Sequence, residues 1–232
     1  ALVALYQWVT GDGIPPPWNA ERRVTSVFPY PNAVGLYLGP LVLLFVGLAK
    51  VAWRERALAS AGAWSTLTAL SILAIIAAKS EGALVGIVVG MVMFAVLLGR
   101  KTRIVTLLVF VAVAALILFS PVRNKVLEKL TLRDWSGVVR RSMWSETVDM
   151  LRDRPILGAG LSGYPIVLLP YHRATAIEIF QYPHNIFLNF WSETGLLGLI
   201  SFIVLLIIFL RRALAARDAA LVGTMTVIVI HG

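Results

Sequence analysis

The chain has 232 residues, of which 59% are hydrophobic and 14% are charged, and its mean hydropathy is +0.83. These proportions exclude an ordinary soluble domain and indicate a protein whose main solvent is lipid. The formal net charge is +9, and the absence of cysteine excludes disulfides, thiol catalysis and cysteine-ligated zinc.

Apolar segments, separated by charged residues, follow one another along the chain. Because a hydrocarbon layer about 30 Å thick requires about 20 apolar residues per helix, these segments predict membrane spans. The predicted fold is an all-α, polytopic membrane helix bundle with spans at residues 33–52, 57–78, 82–99, 103–120, 186–210 and, partially, 219–231. Apolar stretches at both ends predict that residues 1–232 form a single membrane domain from a longer protein.

The orientation of these spans follows from the cations, because short loops rich in Lys and Arg stay on the cytoplasmic side. Three such clusters fall on one side if every span crosses once: Lys50, Arg54 and Arg56; Arg100, Lys101 and Arg103; Arg211, Arg212 and Arg217. The opposite side is therefore predicted to be extracytoplasmic. It carries the Pro-rich segment 10–32, the turn 79–82 and one long loop, 121–185, in which we expect short helices.

The long loop contains nine basic and six acidic residues. The rule that basic loops stay in the cytoplasm applies to short loops, so one interpretation is an ordinary surface loop whose positive charge has no function. The other is a binding surface for an anionic ligand, with phosphate or pyrophosphate as candidates. No nucleic acid partner is expected, because the basic residues lie outside the cell and are not interleaved with stacking aromatic residues.

Within this loop, Ser136 is predicted to be the N-cap of a helix that ends at Asp153, before Arg154-Pro155. Arg140 and Trp144 share one face of that helix. Two interpretations remain open: an amphipathic helix that lies on the membrane surface, or a helix that directs an arginine at a ligand.

The segment 158–163, Gly-Ala-Gly-Leu-Ser-Gly, has the glycine spacing of a dinucleotide-binding fingerprint. No strand precedes it and no βαβ unit fits in an outward loop, so a dinucleotide site is excluded. These glycines instead predict a turn, with backbone N–H groups able to approach an anion.

Several motifs occur in a fixed order along the chain: Phe28–Ala33, Lys79–Ala83, Arg140-x-x-x-Trp144, Arg154–Gly160, Tyr182–Leu188 and Glu193–Gly198. Together they resemble the membrane domain shared by O-antigen ligases and O-antigen polymerases, over about residues 24–212. One departure lies in the turn 79–83, where the family often has arginine after serine and this chain has Glu81. Lys79 is expected to supply the positive charge, and Glu81 is either a helix N-terminal carboxylate or a second acid or base.

This resemblance implies a glycosyltransferase on the outer face of the bacterial cytoplasmic membrane, in lipopolysaccharide or polysaccharide biosynthesis. The implied donor is a glycan on a polyprenyl pyrophosphate such as undecaprenyl pyrophosphate. The acceptor is lipid A core, another lipid-linked glycan or a protein, and membrane lipids surround the site. Family members use no nucleotide sugar, no cofactor and no obligatory metal, and this sequence contains no His and carboxylate cluster with metal-ligand spacing.

The implied reaction requires a cation to stabilise the pyrophosphate leaving group and a base to accept the proton of an acceptor hydroxyl. Arg140 fits the first role, because its planar guanidinium forms bidentate bonds and stays charged. His184 fits the second, since imidazole has a reference pKa of about 6.5. Arg141 competes with Arg140, but the family spacing to Trp144 favours Arg140. This pair predicts direct displacement at the anomeric carbon with inversion.

Residues that we expect to bind the pyrophosphate or the glycan are Arg141, Arg154, Lys79, Glu81, Asn32, Tyr182 and Asn185. For some of them a structural role remains open. His184 or Asn185 can begin a helix, Asn32 can cap one, and Tyr182 can be an interfacial aromatic residue. An alternative function is a transporter or flippase of lipid-linked glycans, which predicts inverted repeats and charges midway along the spans.

Overall fold

A computed structural model describes residues 1–121 and 123–232, so Val122 of the long predicted loop lies outside the described residues. Within these ranges every regular element is helical, which confirms the all-α prediction. The elements are α1 (Leu2–Thr10), α2 (Pro31–Arg54), α3 (Leu58–Ala77), α4 (Glu81–Leu97), α5 (Arg100–Leu118), α6 (Arg123–Leu130), α7 (Trp135–Asp153), α8 (Tyr164–Leu168), a 3-10 helix (Leu169–Tyr171), α9 (Ile186–Ala215) and α10 (Ala219–His231).

The apolar helices follow the predicted spans closely. Of the helices in the described ranges, α2, α3 and α9 are long and apolar enough to cross a bilayer. Helices α4 and α10 are apolar but shorter, and α5 occupies the position of the span predicted at 103–120. The helical bundle of an integral membrane protein is therefore confirmed.

The chain divides into two compact units, one formed by residues 1–106 and 210–232 and the other by residues 107–209. In the first unit, α2 packs against α3, and α10 packs against α4 and α2. Small residues permit the close approach of α4 and α10, because a Cβ atom added to Gly90 would lie 2.9 Å from the carbonyl oxygen of Gly223. Val34, Leu43 and Ile75 are fully buried in this core.

A buried glutamine holds the Pro-rich segment of the first unit. Gln7 Nε2 donates to the carbonyl oxygens of Gly13 (2.8 Å) and Ser26 (3.1 Å). Gln7 Oε1 accepts from the amides of Thr25 (3.1 Å) and Ser26 (2.7 Å). One side chain thus satisfies four hydrogen bonds of a segment that lacks regular structure of its own.

The second unit has a small core of its own, built on α7. Met150 and Leu151 of α7 pack against Tyr164 and Leu168 of α8, and all four are buried. The Tyr164 hydroxyl lies 2.7 Å from Thr147 Oγ1, and burial raises the pKa of Tyr164 to about 12. Helix α8, in the segment between α7 and α9, is therefore folded against α7.

Helix α7 begins earlier than we predicted. Its N-cap is Asp134, whose carboxylate accepts from the amide of Gly137 at 3.1 Å, so the prediction of Ser136 as the N-cap was wrong. A charged carboxylate is at least as good a cap as a hydroxyl and also interacts favourably with the helix dipole. The predicted end at Asp153 is confirmed.

The glycine segment 158–163 docks on a kink in α9, which confirms the turn that we predicted. Gly195 has φ 71° inside the helix, and the Leu196 amide donates to Ile156 O at 2.9 Å. Ser192 O, the usual partner of that amide in a continuous helix, accepts instead from Ala159 N (2.7 Å) and Gly160 N (3.2 Å). The kink and the turn therefore satisfy each other's backbone groups.

Gly158 tolerates no side chain where this turn contacts α9. Its φ is 63°, and an added Cβ atom would lie 2.5 Å from the carbonyl oxygens of both Trp191 and Ser192. Gly160 also has a positive φ, 80°, but an added Cβ atom there meets open space. A side chain at Gly160 would therefore meet backbone strain alone, whereas a side chain at Gly158 would meet both backbone strain and steric overlap.

We expect Gly158→Ala to lower the free energy of unfolding by roughly 2–4 kcal/mol, because it adds overlap to the cost of a positive φ. Gly160→Ala should cost only about 1–2 kcal/mol, since it carries the backbone term alone. Thermal unfolding of the detergent-solubilised protein measures both. Equal losses for the two variants would show that the contact between the turn and the α9 kink is absent.

Candidate functional site

A tryptophan joins α7 to the segment that carries His184. The Trp144 indole Nε1–H donates to the carbonyl oxygen of Pro183 at 2.8 Å. Arg140 precedes Trp144 by four residues, so the two Cβ atoms lie about 6 Å apart on one helix face. His184 follows Pro183 directly. The contact therefore lies one helical turn from Arg140 and one residue from His184.

The backbone and the neighbouring rings of His184 fix its position. Its φ is 50°, a left-handed conformation that is uncommon for residues other than glycine. Its ring packs edge-on against Phe180 and Tyr182, with centroid distances of 5.3 Å and 4.6 Å. The imidazole is partly buried, and Tyr182 acts as one of its walls.

Asn185 is the cap of α9. Its Oδ1 accepts from the amides of Phe187 (3.0 Å) and Leu188 (3.1 Å). Of the two residues that can begin this helix, Asn185 therefore does so, and His184 stands just before it. The side-chain oxygen of Asn185 is used by the helix, while its Nδ2 group keeps its donors.

The predicted site arginines in α7 and at its C-cap differ in their surroundings. Arg140 is partly buried, whereas Arg141 and Arg154 are exposed. Arg140 and Arg141 have no salt-bridge partner in the part of the chain that the structure describes. A partly buried guanidinium without a carboxylate partner is suited to bind an anion.

Three of the predicted binding residues, Asn32, Lys79 and Glu81, belong to the first unit, and Arg23 contacts one of them. Arg23 donates from its guanidinium to Asn32 Oδ1 and to the carbonyl oxygen of Ala78, both at 3.4 Å. Asn32 lies inside α2 and makes no cap, so the interpretation of Asn32 as a helix cap was wrong. Pro31 already sets φ at the start of α2, and the Asn32 side chain is left for Arg23.

Lys79 and Glu81 flank the start of α4 in the same unit. Lys79 Nζ donates to the carbonyl oxygen of Glu21 at 2.9 Å, so its ammonium is tied to the Pro-rich segment. Glu81 is the exposed first residue of α4. At this position a carboxylate interacts favourably with the helix dipole. Arg23 was not among the site residues predicted from the sequence. Its Cζ atom lies 5.1 Å from the centroid of the Trp18 ring.

Glu146 is a second residue that the sequence interpretation did not select. It is only 2% exposed, and its Oε1 accepts from the amides of Arg173 (3.0 Å) and Ala174 (3.2 Å). Its Oε2 lies 3.1 Å from His172 Nδ1. The signal was available, because Glu146 lies among the buried residues Met143, Thr147 and Met150 of α7, where an acidic side chain requires partners.

These partners keep the Glu146 carboxylate ionised. Burial by itself raises the pKa of Glu146, but hydrogen bonds from the Arg173 amide, His172 and the Ala174 amide outweigh it, so the net pKa is lowered. A carboxyl with a lowered pKa in the folded state stabilises the fold at neutral pH, and this stability is lost as the pH falls through that pKa, below 4.5. Glu146 thus anchors the segment 172–174 to α7.

We expect Glu146→Ala to lower the free energy of unfolding by about 3 kcal/mol at neutral pH, because two backbone amides lose their acceptor. The difference in Tm from the wild type should narrow below pH 4.5, where the native carboxyl becomes protonated. Glu128→Gln, at an exposed carboxylate of α6, is the matched control and should leave Tm unchanged. A pH-independent loss for Glu146→Ala would contradict an ionised anchor.

In the described part of the chain no group of three or more His, Asp or Glu side chains could hold a metal ion. Metal independence stays a prediction.

Comparison with known proteins identifies the family. The family model described as O-antigen ligase matches residues 66–203, which is more than half of the chain. The matched range includes Arg140, His184 and the glycine segment, whereas Asn32 lies before it. A search of curated proteins and a search of solved structures each found no significant match. The chain is therefore a glycosyltransferase-like membrane enzyme of the ligase or polymerase type. It belongs to the O-antigen ligase family.

Proposed function

We propose that the protein transfers a glycan from a polyprenyl-pyrophosphate donor to an acceptor hydroxyl, without a metal ion. The acceptor is lipid A core or another lipid-linked glycan. The observation that carries the proposal is the hydrogen bond from Trp144 to Pro183 O, because it joins the helix of Arg140 to the segment of His184.

Arg140 is proposed to bind the pyrophosphate. As the bond between the anomeric carbon and the pyrophosphate oxygen breaks, negative charge develops on the leaving group. A guanidinium that is partly buried and has no carboxylate partner among the described residues stabilises that charge more than an exposed one. Exposed Arg141 and Arg154 extend the positive surface along α7 for the rest of the donor.

His184 is proposed to act as the general base. Its imidazole accepts the proton of the acceptor hydroxyl, whose oxygen forms a new bond to the anomeric carbon as the pyrophosphate leaves from the opposite face. The configuration at that carbon is therefore inverted, and polyprenyl pyrophosphate is released. Packing against Phe180 and Tyr182 orients the ring. Asn185 Nδ2, which donates no hydrogen bond among the described residues, is proposed to bind a sugar hydroxyl.

The residues of the first unit are assigned to substrate binding rather than to proton transfer. Asn32 accepts from Arg23, Lys79 donates to the carbonyl oxygen of Glu21, and Glu81 adds a carboxylate at the start of α4. The cation-rich short loops are proposed to face the cytoplasm, so the active site faces the extracytoplasmic side of the bacterial inner membrane. Lipid-linked donors are presented to such a site from the bilayer.

We expect Arg140→Gln to lower kcat by about 10²–10³-fold, and His184→Ala by about 10²–10⁴-fold, because each removes an interaction made in the transition state. The assay supplies a polyprenyl-pyrophosphate glycan and a lipid A core acceptor to the purified protein, with a chelator present. Arg133→Gln, an exposed arginine just before α7, is the control for loss of one positive charge and should retain activity.

The pH dependence separates the two roles. The limb of the kcat profile that reports a base should disappear in His184→Ala and persist in Arg140→Gln. A folded variant of either residue that retains activity within about threefold of the wild type would contradict its catalytic role. A flippase would move the donor across the bilayer without forming a new glycosidic bond.

A further inference from the structure

A cavity of about 280 Å³ in the first unit lies where α4 ends, α5 begins and α9 ends. Three arginines line it, Arg100, Arg103 and Arg217. The rest of its wall is largely apolar and includes Leu97 and Leu214. The proposed glycosyl transfer uses none of these residues.

The three guanidinium groups have no counterion among the residues that the structure describes. None of them forms an ion pair within residues 1–121 and 123–232, and no acidic residue lines the cavity. Asp218 follows Arg217, but its Oδ1 caps α10 by accepting from Ala220 N (3.0 Å) and Leu221 N (3.1 Å). Three positive charges that line one cavity, with no carboxylate partner in the described part of the chain, favour an anionic ligand.

The apolar wall indicates what kind of anion fits. Leu97 and Leu214 are 37% and 49% exposed beside the arginines, at the ends of two apolar helices. A free inorganic anion gains nothing from such side chains, whereas an amphiphile places its charge on the arginines and its chains on the leucines. The volume suits a phosphodiester headgroup and is too small for an entire lipid.

We infer that this cavity binds the headgroup of an anionic phospholipid from the adjacent leaflet. Its phosphodiester lies between Arg100, Arg103 and Arg217, and its acyl chains run along Leu97 and Leu214. The cation-rich loops assign this end of the bundle to the cytoplasmic leaflet, whose anionic lipids favour basic juxtamembrane sites. The inference holds whether or not the proposed reaction is correct, because it uses a different set of residues.

Native mass spectrometry of the detergent-solubilised protein, titrated with phosphatidylglycerol or phosphatidylcholine, tests the site. We expect one phosphatidylglycerol to bind more tightly than phosphatidylcholine, and millimolar inorganic phosphate not to displace it. The triple variant R100Q/R103Q/R217Q should lose about a hundredfold in affinity. The matched control R54Q/R56Q/R211Q removes three exposed arginines from the same group of loops, outside the cavity, and should retain binding.

A steric variant covers the case in which the triple variant does not fold. Val96→Trp fills the cavity from α4 and keeps all three charges, so it should abolish the phosphatidylglycerol adduct. Three outcomes would overturn the inference: Val96→Trp or the triple variant binds like the wild type, phosphatidylcholine binds equally well, or inorganic phosphate displaces the lipid.

Discussion

The hydrogen bond from the Trp144 indole to Pro183 O is the contact on which the proposed chemistry depends. The Pro183 carbonyl lies two residues before the cap of α9 and has no partner within that helix, and a partly buried indole N–H requires an acceptor. Joining them satisfies both groups at once. The consequence is geometrical, because the residue one turn before Trp144 and the residue after Pro183 are brought to one region of the second unit.

Other contacts of the second unit serve the same purpose of holding an extended segment in place. The Glu146 carboxylate accepts two backbone amides of segment 172–174, and Ser192 O accepts two amides of the glycine turn. Each contact replaces water with a protein partner for a backbone group outside regular structure. Two motifs of the family resemblance, Arg154–Gly160 and Glu193–Gly198, are thus partners of each other. Backbone pairing gives the two motifs a structural reason to occur together, and the Arg154 side chain is not part of that pairing.

The sequence predicted the positions of the helices well, but it predicted the helix caps and the long-range side-chain contacts less well. The span predicted at 57–78 is the helix Leu58–Ala77, and the one at 186–210 is Ile186–Ala215, because apolar length between charges determines both. The cap of α7 was wrong by two residues, since Asp134 and Ser136 are both good caps and local sequence does not choose between them. The functions of Glu146 and Arg23 depend on residues 27 and 55 positions away, at Arg173 and Ala78, which no local pattern reveals.

The most direct measurement is a structure of the protein with a bound polyprenyl-pyrophosphate glycan. We expect the pyrophosphate to accept hydrogen bonds from the Arg140 guanidinium and the His184 imidazole to face the anomeric carbon from the side opposite the leaving group. A pyrophosphate bound away from Arg140, or an imidazole turned away from the sugar, would contradict the proposed reaction.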